Sequence, residues 1–327
     1  MVFISLVLPV RNRKDYTQGI LSQIYTQFSQ IAEAQNFSVI VVDDGSTDGT
    51  QEIIRSKFPD VHLIQADGSL WWTGAICEGM KYASEKLKAD YVVWLNDDIS
   101  IADDLISNIY KICSHPDSKT AIIGGIIRSK KYPNWIVYSG ISKYHRVRDL
   151  NYFAEQEEVE VDTLNGNIVI VSRTIFEQIG LPDASQFKHY GGDYDFSMRT
   201  KEAGFKVKLS SLLQGYNDYQ ISDLIRCMPV KMQWHLERNW FKKYKLIRGL
   251  TNLKSNYNIE HKVNIVYRNR DRESWAYLKF YLRHLRDILL SNFEDRNKIE
   301  KEIKSYLRRE NVPEEMADAI IGYLKKK

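Results

Sequence analysis

The first hundred residues alternate between short apolar runs and longer segments whose apolar residues recur at helical spacing. Runs rich in β-branched residues are typical of buried strands. Ile20, Ile24, Phe28 and Ile31 recur every three or four residues and predict a helix over 15–34. Strands that alternate with helices favour a largely parallel α/β sheet with helices on both faces. The predicted strands are FISLVLPV, FSVIVV, VHLIQA and YVVWLN, and the predicted helices begin at Asp15, Gly49 and Gly74.

The pattern changes beyond about residue 100. AIIGGIIRS, NWIVYSGIS and NGNIVIVSRTIFEQIG predict shorter strands and one helix, and from about Met228 the chain becomes helical and basic. Pro313 suits the first turn of a last helix. We therefore expect two regions, 1–225 and a mainly helical 226–327. The second region carries an apolar stripe at near-heptad spacing, formed by Trp275, Leu278, Leu282, Leu285 and Leu289.

The charge is distributed unevenly along the 327 residues. The formal net charge is only +4, but residues 226–327 hold 24 Lys and Arg against 13 Asp and Glu. Such a tail suits a nucleic acid, an anionic membrane or a charged partner, and solvated helix faces explain it equally well. Three widely spaced cysteines form no metal or disulfide pattern, and no apolar run reaches the length of a membrane span. We expect a cytoplasmic protein that is not integral to a membrane.

Paired carboxylates follow two of the predicted strands. Asp43 and Asp44 end the second strand, and Asp97 and Asp98 end the fourth. Either pair alone reads as a turn, for which Asp is a common residue. In an open α/β sheet, however, ligands bind where the carboxyl ends of parallel strands meet. Both pairs at one edge predict an oxygen-ligand site for Mg²⁺ or Mn²⁺.

A third acidic cluster lies in HYGGDYDFSMR, where Asp193 and Asp195 follow two glycines. Glycines let a backbone approach a ligand closely. One interpretation is a loop that enters a helix, with Asp193 as its N-cap. The other is a general base, a carboxylate that takes a proton from an attacking hydroxyl.

Five motifs in order give the chain a family resemblance. The motifs are SLVLPVRNRKD, VIVVDDGSTDGT, VVWLNDDISIADDL, LNGNIVIVSRTIFEQIG and GGDYDFSMR. They resemble those of family 2 glycosyltransferases, and the resemblance covers roughly residues 3–210. The resemblance implies the GT-A fold, a Rossmann-like, mostly parallel sheet flanked by helices, here with a C-terminal helical extension. It also implies a nucleotide-sugar donor bound by residues 1–100, with the acceptor side in 101–225.

The resemblance also implies a nucleotide site. The first strand and its loop line the nucleotide pocket in such enzymes, which here means Pro9, Val10 and Arg11. Asp44 would accept a hydrogen bond from the imide N–H of uracil or thymine.

Catalytic and metal-binding roles follow from the same resemblance. LNDD stands where the family has its D-x-D-type motif, so that Asp98 would be the main ligand of Mn²⁺ or Mg²⁺. Asp97 would contact the sugar or ribose. Asp193 falls at the position of the family's catalytic base, which implies inversion at the anomeric carbon.

Several positions depart from the family pattern. Gly192 replaces the common acidic residue before the base, while Asp195 keeps the second acidic position. The pair Trp71 and Trp72 is unusual. These side chains line the sugar or acceptor pocket, pack in the core beneath a loop, or take one role each. Some GT-A enzymes use a histidine as a third metal ligand, and His235 is the candidate here.

Other basic residues have open roles. His189, close to the base loop, is a second candidate for the metal, although a lone histidine is more often an ordinary packed residue. Arg238, Lys242 and Lys243 either reach a diphosphate or belong to a solvated helix face.

The expected function is that of a metal-dependent, inverting glycosyltransferase. It would move a hexose-type sugar from a UDP- or dTDP-sugar to a hydroxyl of a glycan or lipid-linked acceptor in surface polysaccharide synthesis. Its place would be the cytoplasm, or the inner face of the plasma membrane. The C-terminal stripe favours packing or a homodimer, with peripheral membrane contact as the alternative.

The main alternative function is a non-catalytic nucleotide-sugar-binding or scaffold protein on the same fold. A dinucleotide-dependent oxidoreductase is excluded because no G-x-G-x-x-G follows a strand. A sugar nucleotidyltransferase would need a glycine-rich triphosphate loop after the first strand, and PVRNRKDYTQG is not one. We expect no nucleic-acid partner.

Overall fold

The computed structural model describes residues 2–268 and 275–325. These fall into two compact units. The first comprises Met1–Lys188 and Gly192–Asp218, and the second comprises His189–Gly191 and Tyr219–Lys327. Residues 269–274 and 326–327 of the predicted helical region lie outside the described residues.

Thirteen strands are found in the described residues, all in the first unit. They are β1 Ile4–Val10, β2 Phe37–Asp43, β3 His62–Gln65, β4 Tyr91–Leu95, β5 Ser100–Ile101, β6 Ala121–Ser129, β7 Ile136–Tyr138, β8 Gly140–Ser142, β9 His145–Arg146, β10 Glu158–Glu160, β11 Thr163–Leu164, β12 Ile168–Ser172 and β13 Lys206–Asn217.

Helices surround the sheet and build the second unit. The first six are α1 Lys14–Phe28, α2 Thr50–Lys57, α3 Trp71–Glu85, α4 Leu105–Ser114, α5 Arg173–Ile179 and α6 Gly192–Glu202. The second unit contains α7 Ile221–Cys227, α8 Val230–Leu236, α9 Trp240–Gly249, α10 Ile259–Val266, α11 Ala276–Ser291, α12 Arg296–Arg309 and α13 Glu314–Lys325.

The main sheet has the order β10-β13-β6-β12-β4-β1-β2-β3. The four N-terminal strands pair in parallel, as the sequence predicts, whereas β12 runs antiparallel to β4 and to β6. A mixed sheet results, with a parallel half whose carboxyl ends share one edge. The interiors of β1, β2 and β4, such as Leu6, Val41 and Val93, are fully buried, whereas β3 at the sheet edge is only partly buried. Their near-continuous apolar sequence is therefore that of strands covered on both faces.

Two helix boundaries and one strand differ from the prediction. Helix α1 ends at Phe28 rather than near residue 34, and Ile31 is not helical. The Ser29 hydroxyl donates to the Thr26 carbonyl at 2.7 Å, which satisfies one of the free carbonyls at this end. Helix α3 begins at Trp71, three residues earlier than predicted. Strand β13 was missed altogether, because the alternation of its first residues stops at Ser210 and the strand contains a register shift between Leu209 and Gln214.

The second unit has a core of its own. Trp234, Leu250, Ile259, Val263 and Ile288 are buried in it, together with the half-buried aromatic rings of α11. The predicted apolar stripe of α11 does not face this core: apart from Leu285, its members are exposed. In the described part of the chain, no helix combines the length and the apolar character that crossing a membrane requires.

Candidate active site

Asp43 and Asp44 stabilise the loops that follow β2. Asp43 accepts hydrogen bonds from the backbone N–H of Ser46 at 3.1 Å and from the Ser46 hydroxyl. Asp44 reaches the start of α3, where Leu70 N and Trp71 N donate to its two carboxylate oxygens at 3.1 and 2.8 Å. A carboxylate at this position satisfies free N–H groups and complements the positive end of the helix dipole. It therefore explains why α3 includes both tryptophans.

The predicted nucleotide residues lie together around Asp44. Pro9 and Val10 end β1, and Val10 is the register partner of Asp43. The Arg11 guanidinium donates to the Gly68 carbonyl at 2.5 Å and lies 3.6 Å from the Asp44 carboxylate. The Arg11 side chain is half exposed while that of Asp44 is buried. The Arg11 guanidinium is therefore accessible to a ligand, and it lies beside the buried Asp44 carboxylate.

The Asp97–Asp98 pair is held by a cation from the first loop. Arg13 Nη1 lies 2.8 Å from Asp97 Oδ1 and 3.1 Å from Asp98 Oδ2. Thr17 donates to the second Asp97 oxygen at 3.1 Å. Burial raises the pKa of Asp97 to about 6; Arg13 opposes this shift and Asp98 adds to it. Burial lowers the pKa of Arg13, but the two carboxylates outweigh it and raise the pKa overall.

The two carboxylates of this pair differ in accessibility. Only 1% of the Asp97 side chain is exposed, against 39% for Asp98. Both Asp97 oxygens are used within the protein, while Asp98 presents a carboxylate to the surface beside a cation. A hard divalent ion binds such oxygens readily, so the donor chemistry fits Mn²⁺ or Mg²⁺. Among residues 2–268 and 275–325, no three His, Cys, Asp or Glu side chains cluster as a complete protein-only metal site.

A chain of amides joins the Asp97–Asp98 loop to the loop before β12. The Trp72 indole N–H donates to Asn96 Oδ1 at 2.8 Å, and Asn96 Nδ2 donates to Asn167 Oδ1 at 2.8 Å. The Asn96 backbone N–H donates to the Asn167 carbonyl at 3.0 Å. Trp72 packs edge-to-face on the buried Trp94, with the ring centroids 5.8 Å apart. Its indole therefore holds the amide chain against the core.

Asp193 lies at the far end of this connection. The Gly166 N–H donates to Asp193 Oδ2 at 2.9 Å, and the Tyr194 N–H donates to Oδ1 at 2.9 Å. Burial raises the pKa of Asp193 to about 6, although the two backbone donors act in the opposite direction. A carboxylate with this pKa is ionised at neutral pH and is basic enough to accept a proton.

The residues next to Asp193 explain the departures from the family pattern. A Cβ atom at Gly192 would lie 2.6 Å from the Thr73 hydroxyl oxygen, so any side chain there would collide with the first turn of α3. Asp195 is buried and accepts from Arg199 Nε at 2.8 Å, while Arg199 also donates to the carbonyls of Ile179 and Leu181. In this structure Asp195 thus anchors the loop after α5. Its role towards sugar or acceptor stays a prediction.

The two tryptophans have different surroundings. Trp72 is partly buried and packs against the core cluster. Trp71 is half-buried with a left-handed φ of 59°, a conformation that is uncommon for a bulky residue and marks a constrained position. Contact of either ring with a sugar stays a prediction.

The predicted basic candidates lie in the second unit. His235 is buried in α8, with Nε2 2.9 Å from the Ser291 hydroxyl. His189 packs edge-to-face on Tyr190. Arg238 donates to the Tyr323 carbonyl at 2.9 Å, and Lys243 lies over the Trp234 ring. Lys242 is exposed on α9. Their roles towards a metal or diphosphate stay predictions.

Sequence reasoning missed several residues of this site. Arg13, Thr17, Asn96 and Gly166 carry its contacts but had no assigned role. The Asn-Gly-Asn sequence 165–167 is a turn signal that pointed to a sharp loop before β12. Nothing in the sequence indicated which carboxylate Arg13 would meet.

The fold and this site define a class of protein. A mixed α/β sheet with carboxylates at the carboxyl edge of its parallel half is the architecture of GT-A glycosyltransferases. A solved structure agrees in fold: the mannosyltransferase PcManGT from Pyrobaculum calidifontis, in complex with GDP-Man and Mn²⁺. The two superpose with a TM-score of 0.53 over 98% of this chain and 84% of that chain, at 12% sequence identity.

The chain belongs to the family described as Glycosyl transferase family 2, whose model matches residues 5–179. The family, the enzyme class and the GT-A fold predicted from the sequence are thereby confirmed. The chain is 23% identical over 218 residues to the low-salt glycan biosynthesis hexosyltransferase Agl10 of Haloferax volcanii, spanning 64% of each protein. It is also 23% identical to the N-acetylglucosaminyl-diphospho-decaprenol L-rhamnosyltransferase of Mycobacterium tuberculosis, over 58% of this chain and 69% of that one.

Proposed function

We propose that the protein is an inverting, metal-dependent transferase. It moves a hexose-type sugar from a UDP- or dTDP-sugar to a hydroxyl of a glycan or lipid-linked acceptor. The relatives named for glycan biosynthesis and for transfer to a decaprenol-linked acceptor support a role in surface polysaccharide assembly. We place this reaction at the cytoplasmic side of the membrane, where nucleotide sugars are made.

The observation that carries the proposal is the contact between the Asp97–Asp98 loop and the Asp193 loop. Asn96 meets Asn167 through two hydrogen bonds, and Gly166, the neighbour of Asn167, donates to Asp193. The candidate base and the candidate metal ligand are thus held by one bonded framework. A transferase needs this arrangement, because the acceptor and the leaving diphosphate lie on opposite sides of one anomeric carbon.

In the proposed mechanism Asp193 is the general base. Its carboxylate takes the proton of the acceptor hydroxyl while the hydroxyl oxygen forms a bond to the anomeric carbon. The bond from that carbon to the diphosphate oxygen breaks, and its electrons leave with the nucleoside diphosphate. Attack from the face opposite the leaving group inverts the anomeric configuration. The two N–H donors from Gly166 and Tyr194 hold the carboxylate in orientation.

Asp98 is the proposed metal ligand at the diphosphate end. A bound Mn²⁺ or Mg²⁺ would supply positive charge for the leaving diphosphate. Asp97 orients Arg13 and Thr17 and, in the proposal, faces the ribose or sugar. The Mn²⁺ bound to the mannosyltransferase of the same fold supports a divalent ion here. His235 is proposed as a further ligand.

The donor is proposed to bind along Pro9, Val10 and Arg11. Arg11 is half exposed and can meet the donor's negative charge, while Asp44 is the proposed acceptor of a pyrimidine imide N–H. Since the neighbour of the same fold carries GDP-Man, the guanine nucleotides are the competing donor class. Trp71, Trp72, Gly192 and Asp195 are the proposed sugar and acceptor side.

A donor screen tests the proposal. Release of nucleoside diphosphate from UDP-, dTDP- and GDP-sugars is measured with Mn²⁺, with Mg²⁺ and with a chelator. We expect turnover of a pyrimidine donor only with a divalent ion. Asp193→Asn should lower turnover by about 10² or more through loss of the base, while donor affinity is kept. Unchanged turnover in this variant would refute the base, and turnover with the chelator would refute the metal.

A further inference from the structure

The second unit exposes large apolar side chains on two helices. On α9, Trp240 and Phe241 are 72% and 78% exposed, and Tyr244 is more than half exposed. On α11 and just beyond it, the exposed residues are Leu278, Leu282, Leu289, Leu290 and Phe293, the last at 88%. Single exposed apolar residues are ordinary, but rows of them mark an interaction surface.

Helix α11 is apolar on two opposite sides. Ala276, Phe280 and Ile288 turn towards the core of the second unit. Leu278 and Leu282 lie four residues apart on the other side and are both about half exposed. A helix that only packed in its own unit would carry polar residues there. The core of the second unit therefore accounts for the apolar residues on one side of α11, but not for the exposed leucines on the other side.

The exposed rows of the two helices meet at one residue. The Trp234 ring lies edge-to-face with Trp240, with centroids 6.1 Å apart. The Trp234 indole N–H donates to Asn292 Oδ1 at 2.9 Å, next to Phe293. The start of α9 and the end of α11 are thus neighbours. We name the exposed residues of both helices the apolar–basic surface.

Positive charges accompany both rows. On α9, Arg248 follows Trp240 and Tyr244 at successive steps of four residues, and Lys245 follows Phe241 by the same step. On α11, the exposed residues Lys279, Arg283 and Arg286 run beside the leucine row. Aromatic, leucine and basic side chains on one helix face are the composition of helices that lie in the interface of an anionic membrane.

We propose that the apolar–basic surface binds an anionic lipid bilayer, with Trp240, Phe241, Leu282 and Phe293 entering the headgroup region. The Lys and Arg side chains would meet lipid phosphates. A second copy of the chain suits this surface less well, because a symmetric dimer brings the same basic patch against itself. The proposal concerns binding alone and is independent of the transfer reaction proposed above.

Vesicle sedimentation tests the apolar part. The full chain is spun with vesicles of phosphatidylcholine, and with vesicles in which about one third is replaced by phosphatidylglycerol. We expect binding to the anionic vesicles. Phe241→Ser combined with Phe293→Ser should weaken it by at least about tenfold, because two exposed rings can no longer insert. Tyr144→Ser, at a site 98% exposed in the first unit, should change nothing.

Charge substitutions distinguish binding to lipid phosphates from nonspecific hydrophobic adsorption to vesicles. Lys245→Gln combined with Arg248→Gln should reduce binding to anionic vesicles by at least about threefold. It should also lower the salt concentration at which binding is lost. Lys57→Gln combined with Lys86→Gln removes the same charge from exposed positions of the first unit and should have little effect. Equal melting curves establish that the variants are folded.

Two results would overturn the proposal. One is the absence of vesicle binding by the unmodified protein. The other is a dimer in sedimentation equilibrium that the two serine substitutions dissociate, with vesicle binding unaffected by them. These measurements contain neither donor nor acceptor, so their outcome does not depend on whether the proposed transfer reaction occurs.

Discussion

At the residue scale, burial raises the pKa of two carboxylates in different settings. Both carboxylate oxygens of Asp97 accept hydrogen bonds within the protein, one from Arg13 and one from Thr17. Asp193 instead accepts from two neutral backbone N–H groups and is partly accessible, so a substrate hydroxyl can approach its carboxylate. The same burial therefore suits one carboxylate to orientation and the other to proton transfer.

The pKa of Asp193 predicts a pH dependence of turnover. Because the base acts only when ionised and its pKa is raised to about 6, kcat should fall as the pH drops through about 6 and level off above about 7. Asp97 has a pKa of about 6 too, but its protonation should change metal or donor affinity instead. The measurement is kcat and KM from pH 5 upward. The residual turnover of Asp193→Asn should lack the step in kcat; a wild-type kcat that is flat between about pH 5 and 7 would contradict the assignment.

The position of Arg13 predicts that it competes with the metal ion for the Asp98 carboxylate. Its guanidinium bridges Asp97 and Asp98, where a divalent ion bound to Asp98 would meet the same negative charge. Arg13→Gln should therefore tighten binding of Mn²⁺ alone by about tenfold, since charge-assisted contacts of this kind are worth more than neutral ones. Electron paramagnetic resonance of free Mn²⁺ measures the affinity.

Two controls sharpen this test. Lys14→Gln removes a neighbouring charge that lies beside Gly49, and should leave the Mn²⁺ affinity within about threefold. Asp98→Asn should abolish binding. Equal affinity in wild type and Arg13→Gln would exclude the competition, whereas no binding in any variant would count against the metal site itself.

At the element scale, α3 and the loop before β12 position the site together. Asp44 supplies the N-terminal capping interactions of α3, and the second residue of the helix, Trp72, holds Asn96. The loop passes so close that a Cβ atom at Gly166 would lie 2.4 Å from the Trp72 ring. Glycine is required there for space.

Gly166→Ala should therefore destabilise the fold and disturb the site. Overpacking of this kind costs about 1–3 kcal/mol, and displacement of Trp72 would release Asn96. We expect a lower unfolding midpoint and a reduced kcat. Gly19→Ala on α1, where a Cβ meets nothing within 4 Å, is the matched control and should be neutral or slightly stabilising. Equal midpoints in the two variants would contradict the close packing.

Some secondary-structure elements were predictable from local sequence and others were not. The four parallel strands were recognised because their apolar runs are nearly continuous. The early start of α3 depends on Asp44, which is 27 residues before Trp71, and local sequence carries no sign of that contact. Strand β13 gains its order from the neighbouring β6, so its own mixed sequence gave no prediction.

At the scale of the whole molecule, the charge asymmetry coincides with the two units. The C-terminal excess of Lys and Arg lies on helices that also expose apolar rows, whereas the acidic residues of the candidate site belong to the first unit. The sequence analysis favoured packing or a homodimer for the stripe. Leu278 and Leu289 are exposed beside Lys and Arg side chains, which supports the lipid surface that we propose, and the homodimer stays the alternative that the vesicle experiment tests.

Ligand binding should be visible in the stability of the whole protein. A nucleoside diphosphate with Mn²⁺ at about a hundred times the dissociation constant should add about 2.7 kcal/mol to the free energy of unfolding. A thermal melt with each nucleotide measures this. Asp98→Asn should lose the part of the shift that requires Mn²⁺, while Asp193→Asn should keep it. An equal Mn²⁺-dependent shift in both variants would contradict Asp98 as the ligand.

The sequence by itself determined the α/β class, the parallel strands, the family and the carboxylates at the sheet edge. These follow from local apolar patterns and ordered motifs, which need no knowledge of distant contacts. Only the tertiary structure decided that Asp97 is enclosed while Asp98 is accessible, that Arg13 bridges them and that Gly192 meets Thr73. Such differences arise between neighbours in space that are far apart in the chain, and paired aspartates look alike until the fold surrounds them.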